Sequence, residues 1–259
     1  MHQLRLFFVA LQFLTRLPSP RWVGFEFAWL SASARWFPAV GTLVGLIGAG
    51  VFSLTSPIFP PMVAVLLSMV ATVLLTGAFH EDGLADTCDA LGGAVSRQRA
   101  LEIMKDSRIG AYGAIALVLV LVLKAAALAA LPIAWTAAVL VVAHTASRAS
   151  AVVVMKHLAY AGDVEQAKAK PLATSVGMYE TVFALGWTAL LLAVGLAVGS
   201  LPAVVLGAVA IAGAAVTAYA CVWLRRRLGG YTGDTLGATQ QVCEVVMILV
   251  ALGAASWLR

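Results

Sequence analysis

Seven near-uninterrupted apolar runs, each roughly 18 to 23 residues long, divide this chain, and at 1.5 Å per residue each is long enough to cross a hydrocarbon layer of about 30 Å. They cover approximately residues 36–55, 58–79, 111–131, 134–155, 182–200, 202–224 and 239–258. Inside hydrocarbon every backbone N–H and C=O must be satisfied by the protein itself, so such a chain folds as helices with its loops outside the lipid. The expected fold is all-α: a polytopic transmembrane helical bundle of about seven spans, forming a single integral membrane domain over residues 1–259. Composition agrees, since 62% of the residues are hydrophobic and 11% charged, against about 25% charged in an average soluble domain. Too few polar side chains remain to coat a water-soluble globule, which excludes a soluble enzyme, a disordered chain and a disulfide scaffold. Cys88, Cys221 and Cys243 are odd in number and form no CxxC pair, so they read as small apolar fillers. The shorter stretch Leu4 to Leu14 ends in Thr15-Arg16-Leu17-Pro18. It lacks a small-residue cleavage site and reads as a helix lying at the interface or packed on the bundle.

The connections alternate in chemistry. Those near 56–60, 132–133 and 200–201 are short, Pro-containing and uncharged, whereas segments 1–35, 80–110, 156–181 and 225–238 hold nearly every Arg and Lys. By the positive-inside rule these four segments face the cytoplasm, and the net charge of +5 reflects orientation in the membrane rather than a nucleic-acid partner. The same four segments carry every acid except Glu244. Acids contribute little to orientation, so their presence on that face asks for a chemical reason.

The densest acidic stretch is His80-Glu81-Asp82-Gly83-Leu84-Ala85-Asp86-Thr87-Cys88-Asp89. Asp82, Asp86 and Asp89 stand at i, i+4 and i+7, which on a helix places three carboxylates on one face that repel one another unless a cation lies between them. A merely solvated face would intersperse Lys. Hard oxygen ligands suit Mg²⁺ or Mn²⁺, and Mg²⁺ is commonly held by one or two carboxylates together with substrate phosphates. Later in the same loop, Lys105-Asp106-Ser107-Arg108-Ile109-Gly110 offers two cations around an acid, suited to phosphate oxygens. A third segment, Gly229-Gly230-Tyr231-Thr232-Gly233-Asp234-Thr235-Leu236-Gly237, is either a Gly-rich turn presenting N–H groups to an anion or a tight turn with Asp234 or Thr235 as helix N-cap, and both can hold. Acids, a metal and cations together make a phosphoryl-transfer site. Four polar residues interrupt the apolar runs: Lys124, His144, Arg148 and Glu244. Arg148 and Glu244 are placed to pair, His144 reads as a hydrogen-bonded packing residue, and the spacing assigns nothing to Lys124.

Taken in order, Ala10-Leu11-Gln12-Phe13-Leu14-Thr15-Arg16-Leu17-Pro18, Phe37-Pro38 with Gly41, His80 to Asp89, Lys105 to Gly110, and Gly230 to Ala238 resemble the cobalamin synthase family of adenosylcobinamide-GDP ribazoletransferases. Each motif is short; five in order over the whole chain are specific. The resemblance implies a Mg²⁺-dependent enzyme of the bacterial inner membrane. In its reaction a hydroxyl of α-ribazole, or of its 5′-phosphate, attacks the corrinoid-bound phosphorus of adenosylcobinamide-GDP and expels GMP. It implies Asp82, Asp86 and Asp89 as metal ligands and catalytic groups, with Asp106 beside them. His80, Lys105, Arg108, Gly230, Thr232, Gly233, Asp234 and Thr235 would contact substrate. The partners implied are corrinoid-GDP, ribazole and membrane lipid, with a second copy or other corrinoid-handling enzymes left open. Two other classes compete. A CDP-alcohol phosphotransferase is echoed by Asp82-Gly83-Leu84-Ala85, but Asp86 stands where that motif needs Arg. A cation-coupled transporter would place acids at the bilayer midplane in repeated halves, whereas here they crowd at one end of the spans.

Overall fold

The computed structural model describes residues 1–24, 26–162 and 176–258. Part of the charged segment 156–181 therefore lies outside the described residues. The chain forms α1 (His2–Leu14), α2 (Phe27–Ser33), α3 (Phe37–Thr55), α4 (Pro61–Thr76), α5 (Phe79–Leu91), α6 (Arg97–Ile103), α7 (Ala111–Ala130), α8 (Ile133–His157), α9 (Met178–Ala197), α10 (Ala203–Leu228) and α11 (Gly233–Trp257), with a 3₁₀ turn over Ala34–Trp36. Among the described residues six helical stretches are long and apolar enough to cross a membrane, and the α4–α5 pair makes a seventh if taken together. The all-α polytopic bundle expected from the apolar runs is the observed fold. Helices α4, α8 and α10 each start directly after a proline, Pro60, Pro132 and Pro202. This uses the residue whose missing N–H costs nothing at a helix start. The N-terminal stretch is a helix packed on the bundle, burying Leu6, Val9, Ala10, Leu11 and Leu14.

Helices α3 and α8 form the central pair, and they approach closely because α3 carries Gly where α8 crosses it. A Cβ at Gly45 would lie 2.7 Å from Val141 Cα, and one at Gly41 would meet the His144 carbonyl. Small residues that admit a neighbouring backbone are the usual adhesive of helices in lipid, where apolar surface alone supplies no drive to associate.

Two of the differences from the sequence expectation shape the charged end of the bundle. The second run, expected over 58–79, ends at Thr76; Gly77 (φ 70) and Ala78 (φ 59) are both left-handed and turn the chain by 87° into α5. Apolar content alone cannot locate that turn, since Gly77, Ala78 and Phe79 are themselves apolar. The seventh run, expected from 239, begins at Gly233, because Thr232 and Thr235 close a reciprocal capping box that hydropathy does not register.

The charged segments meet at one end of the bundle. Arg35 pairs with Glu180 at 2.5 Å, and Arg97 Nε donates to the Leu228 carbonyl at 2.6 Å. Arg227 donates to the carbonyls of Leu91 and Gly93 at 3.1 and 2.8 Å. Tyr160 and Tyr231 form a short parallel bridge. We expect Gly45→Val to separate α3 from α8 and to cost about 1–3 kcal/mol, the usual penalty of overpacking, read as a lowered thermal midpoint in detergent. Gly50→Val, on the same helix with open space at its Cα, should leave it unchanged.

Candidate active site

The bend at Gly77–Ala78 lays α5 across the charged end of the bundle, where its acids lie outside the long apolar spans. Asp82 is exposed, while Asp86 and Asp89 are half-buried. Seven residues of helix separate the first from the last, so the acidic face is about 10 Å long. Its far end is tied to α7. Asp89 accepts from the backbone N–H of Gly110 at 2.7 Å and of Gly113 at 2.8 Å. One carboxylate thus satisfies two of the amides that a helix start leaves unpaired, and its charge faces the positive end of the α7 dipole. Among the described residues no group of three His, Cys, Asp or Glu side chains is gathered as a metal cage. Asp82 and Asp86, one turn apart, still fit the mode in which Mg²⁺ takes one or two carboxylates and completes its shell with phosphate and water oxygens.

The Gly-rich turn closes over the near end of the same helix. A Cβ at Gly83 would lie 2.7 Å from the Asp234 carbonyl oxygen, and one at Gly237 would lie 3.2 Å from the His80 carbonyl oxygen. Backbone therefore rests on backbone where α5 crosses α11, and Asp234, in the first turn of α11, sits against the residue between Asp82 and Leu84. The helix cap is Thr232, with Thr235 returning the bond, so both hydroxyls are engaged in the cap. The sequence had pointed to Asp234 or Thr235 for that role; Thr232 takes it because its extended backbone (φ −120, ψ 172) aims its Oγ1 at the Thr235 N–H. Gly230 has a structural reason of its own, since a side chain there would strike the Ala159 carbonyl. Gly233 opens the helix with nothing crowding its Cα. Between these residues Tyr231 is buried, and burial raises its phenol to about 12, so it keeps its proton through the neutral range.

The 105–110 segment joins from the other side. Thr232 Oγ1 contacts Met104 Sδ at 3.6 Å, which brings the residue before Lys105 against the Gly-rich turn. Lys105 is exposed. Arg108 lies in a fork on Asp106, with Nε 3.0 Å from Oδ1 and Nη2 2.6 Å from Oδ2. The hydrogen bond and the charge of Asp106 together hold its guanidinium above its ordinary pKa. An open recess of about 500 Å³ lies beside them, lined by Asp89, Arg99, Glu102, Asp106, Arg108 and Tyr112 among others. Asp82, Asp86 and Asp234 do not line it. The three sequence segments thus meet along α5, with Asp234 beside the Asp82 end and the Asp106–Arg108 fork beside the Asp89 end.

Beneath this surface lies a buried polar cluster. Lys124 pairs with Glu244; Glu244 also takes a hydrogen bond from Gln240 and faces His144 Nδ1 at 3.1 Å. Arg148 reaches His144 rather than Glu244, with Nη1 2.9 Å from the His144 carbonyl and 3.3 Å from Nδ1. The expected Arg148–Glu244 pair is therefore replaced by Lys124–Glu244, and His144 is buried and hydrogen-bonded as expected, linking Glu244 to Arg148. Gln241 donates to Glu81 Oε1 at 3.0 Å, carrying the cluster to the underside of α5. His80 is buried and, with Arg148, Gln240, Gly233 and Gly237, lines a small cavity of about 30 Å³.

The model of the family described as Cobalamin-5-phosphate synthase matches residues 6–252. The chain belongs to that family. It is 54% identical over 258 residues to a protein of Leptothrix cholodnii named adenosylcobinamide-GDP ribazoletransferase, covering 96% of this chain and 95% of the relative. Proteins of the same name from Shewanella amazonensis and Shewanella oneidensis are 47% and 44% identical, each over 96% of this chain and 95% and 94% of theirs. No solved structure matches. Within this family member, sequence reasoning passed over Glu81 and assigned no role to Gln240 and Gln241. Glu81 sits in the acidic motif but about 100° around α5 from Asp82, and it is buried.

Removing one member of a buried ion pair leaves the other uncompensated, at a cost of about 3–5 kcal/mol. Lys124→Met and Glu244→Gln should each lower the thermal midpoint, and the double variant should recover part of the loss. Additive losses in the double variant would show that the two side chains do not interact.

Proposed function

We propose that the chain is an adenosylcobinamide-GDP ribazoletransferase of the bacterial inner membrane, with its charged segments in the cytoplasm and Mg²⁺ as cofactor. The observation that carries the reading is the seat of Asp234 on Gly83 together with the Thr232–Met104 contact. These contacts bring three motifs, separated by up to about 150 residues in sequence, along one acidic helix. A diphosphate substrate needs a divalent cation beside its oxygens, donors for the leaving phosphate and a carboxylate for the nucleophile's proton.

In this reading Asp82 and Asp86 supply the carboxylate oxygens for Mg²⁺, which neutralises diphosphate charge when bound. The hydroxyl of α-ribazole or its 5′-phosphate forms the new P–O bond at the corrinoid-bound phosphorus. Its proton passes to a carboxylate of the acidic face, and the bond to GMP breaks. Arg108, held by Asp106 at the edge of the recess, and Lys105 donate to the diphosphate, and Asp234, an acceptor, takes a ribose hydroxyl at the opposite end. His80, Gly230, Gly233, Thr232 and Thr235 serve mainly by fixing the turn over α5. Asp89 acts through the start of α7, which it holds.

Asp82→Asn and Asp86→Asn should each reduce GMP release from a corrinoid-GDP conjugate by more than about 100-fold, the scale of a lost acid–base group. Both should weaken Mn²⁺ binding, followed by the electron paramagnetic resonance of the free ion, and exposed Asp82→Asn should do so at an unchanged thermal midpoint. Asp89→Ala should instead lower the midpoint, because two charge-assisted hydrogen bonds worth about 1.5–3 kcal/mol each are lost. Wild-type Mn²⁺ binding in both Asn variants would remove the metal from Asp82 and Asp86.

Orientation has its own test. In a background lacking the native cysteines, Ser96→Cys and Arg226→Cys should be shielded from a membrane-impermeant thiol reagent in intact cells, and Ser56→Cys and Ser200→Cys should label. The reverse pattern would invert the protein in the membrane.

A further inference from the structure

A long groove that none of the acidic residues of α5 lines lies in the side of the bundle. It holds about 810 Å³ between α9 and α10, floored by α8 and α11. It runs along α10 from Ala210 to Arg225, fifteen residues or about 22 Å, which is more than the depth of one leaflet, about 15 Å of hydrocarbon. Its walls and floor are aliphatic and small, among them Ala146, Ala149, Leu185, Ala214 and Met247. The hydroxyls on the floor are already satisfied: Thr217 donates to Ser150 at 2.8 Å, and Ser150 lies 3.1 Å from Cys243 Sγ. The groove therefore offers its occupant contact surface and no unmet hydrogen-bonding group. At the charged end of the bundle the lining changes to His157, Arg225 and Arg226. Arg225 donates to the His157 carbonyl at 3.2 Å, and Arg226 is exposed, with no ion pair among the described residues.

From this arrangement we propose that the groove seats one acyl chain of an anionic phospholipid, with the lipid phosphate on Arg225 and Arg226. Length favours an acyl chain, since the apolar lining runs the depth of a leaflet and gives way to His157, Arg225 and Arg226 at the charged end. Charge favours an anionic headgroup, because two guanidinium groups lie where the apolar lining ends. The next residue, Arg227, holds the Leu91 and Gly93 carbonyls at the end of α5, so the lipid docks on the turn that braces the aspartate helix. The proposal concerns binding and stands or falls independently of the transferase reading.

The test uses the full chain reconstituted in phosphatidylcholine vesicles containing spin-labelled phosphatidylglycerol or spin-labelled phosphatidylcholine. The motionally restricted fraction should favour phosphatidylglycerol by about fivefold, the order that one arginine supplies near an anionic surface. Arg226→Gln, at an exposed position, should remove most of that preference. Ala214→Phe, which fills the groove, should release the restricted chain, whereas Tyr219→Ala, an exposed position on α10 outside the groove, should change neither. Equal restriction of the two lipids, or a preference surviving both Arg226→Gln and Ala214→Phe, would overturn the proposal. A chemically cross-linked dimer abolished by Ala214→Phe would overturn it too, by assigning the groove to a second copy.

Discussion

Carboxylates cannot be left in hydrocarbon, and the structure meets that constraint with one left-handed pair, Gly77 and Ala78. Without the 87° turn, α4 would continue straight and carry Asp82, Asp86 and Asp89 out along the membrane normal, away from the other charged segments. With it, the acidic helix lies across the bundle end and becomes a platform. Everything that reaches the site reaches it by touching this platform: α11 through Gly83 and Gly237, α7 through Asp89, and α10 through Arg227. Ala78 bears a side chain at φ 59, a conformation that costs on the order of 1 kcal/mol or more in an L-residue. That cost is met because the chain on either side is fixed, by Arg16 against Gly77 and by the α5–α11 contact.

The three aspartates are spaced alike in sequence but differ in employment. Asp89 is consumed by the two amides at the start of α7, while Asp82 remains exposed. A helical wheel cannot make this distinction, because it depends on where another helix begins more than twenty residues later. Glu81 is different: it stands about 100° around the helix from Asp82, and packing turns it inward to Gln241.

Much of the fold was legible because it rests on local quantities. Apolar run length sets the spans, prolines mark the starts of α4, α8 and α10, and the alternation of charge sorts the connections. The five ordered motifs identified the family. What escaped the sequence is non-local or conformational. The turn at Gly77–Ala78 is hidden inside an apolar run. The helix start at Gly233 depends on a Thr-x-x-Thr capping box whose partners are neither hydrophobic nor charged. The pairing of Lys124 with Glu244 joins spans that no periodicity relates; a shared depth in the bundle made Arg148 look the natural partner, and only the packing of α7 against α11 decides otherwise.

That last pairing bears on how the protein is made. Lys124 is synthesised 120 residues before Glu244, so at 5–20 residues per second the cation of α7 waits on the order of ten seconds for its counter-charge. Until then the carboxylate that pairs with Lys124 in the folded protein does not exist, and an unpaired ammonium at mid-span is costly in lipid. His144 and Arg148 arrive first and add positive charge or neutral imidazole, not relief. The last helix therefore brings the closing charge: α11 enters with Glu244 and pairs Lys124. The same helix brings Asp234 to Gly83. Completion of the membrane interior and completion of the surface site are thus one assembly event, and a chain stopped before its final span would have neither.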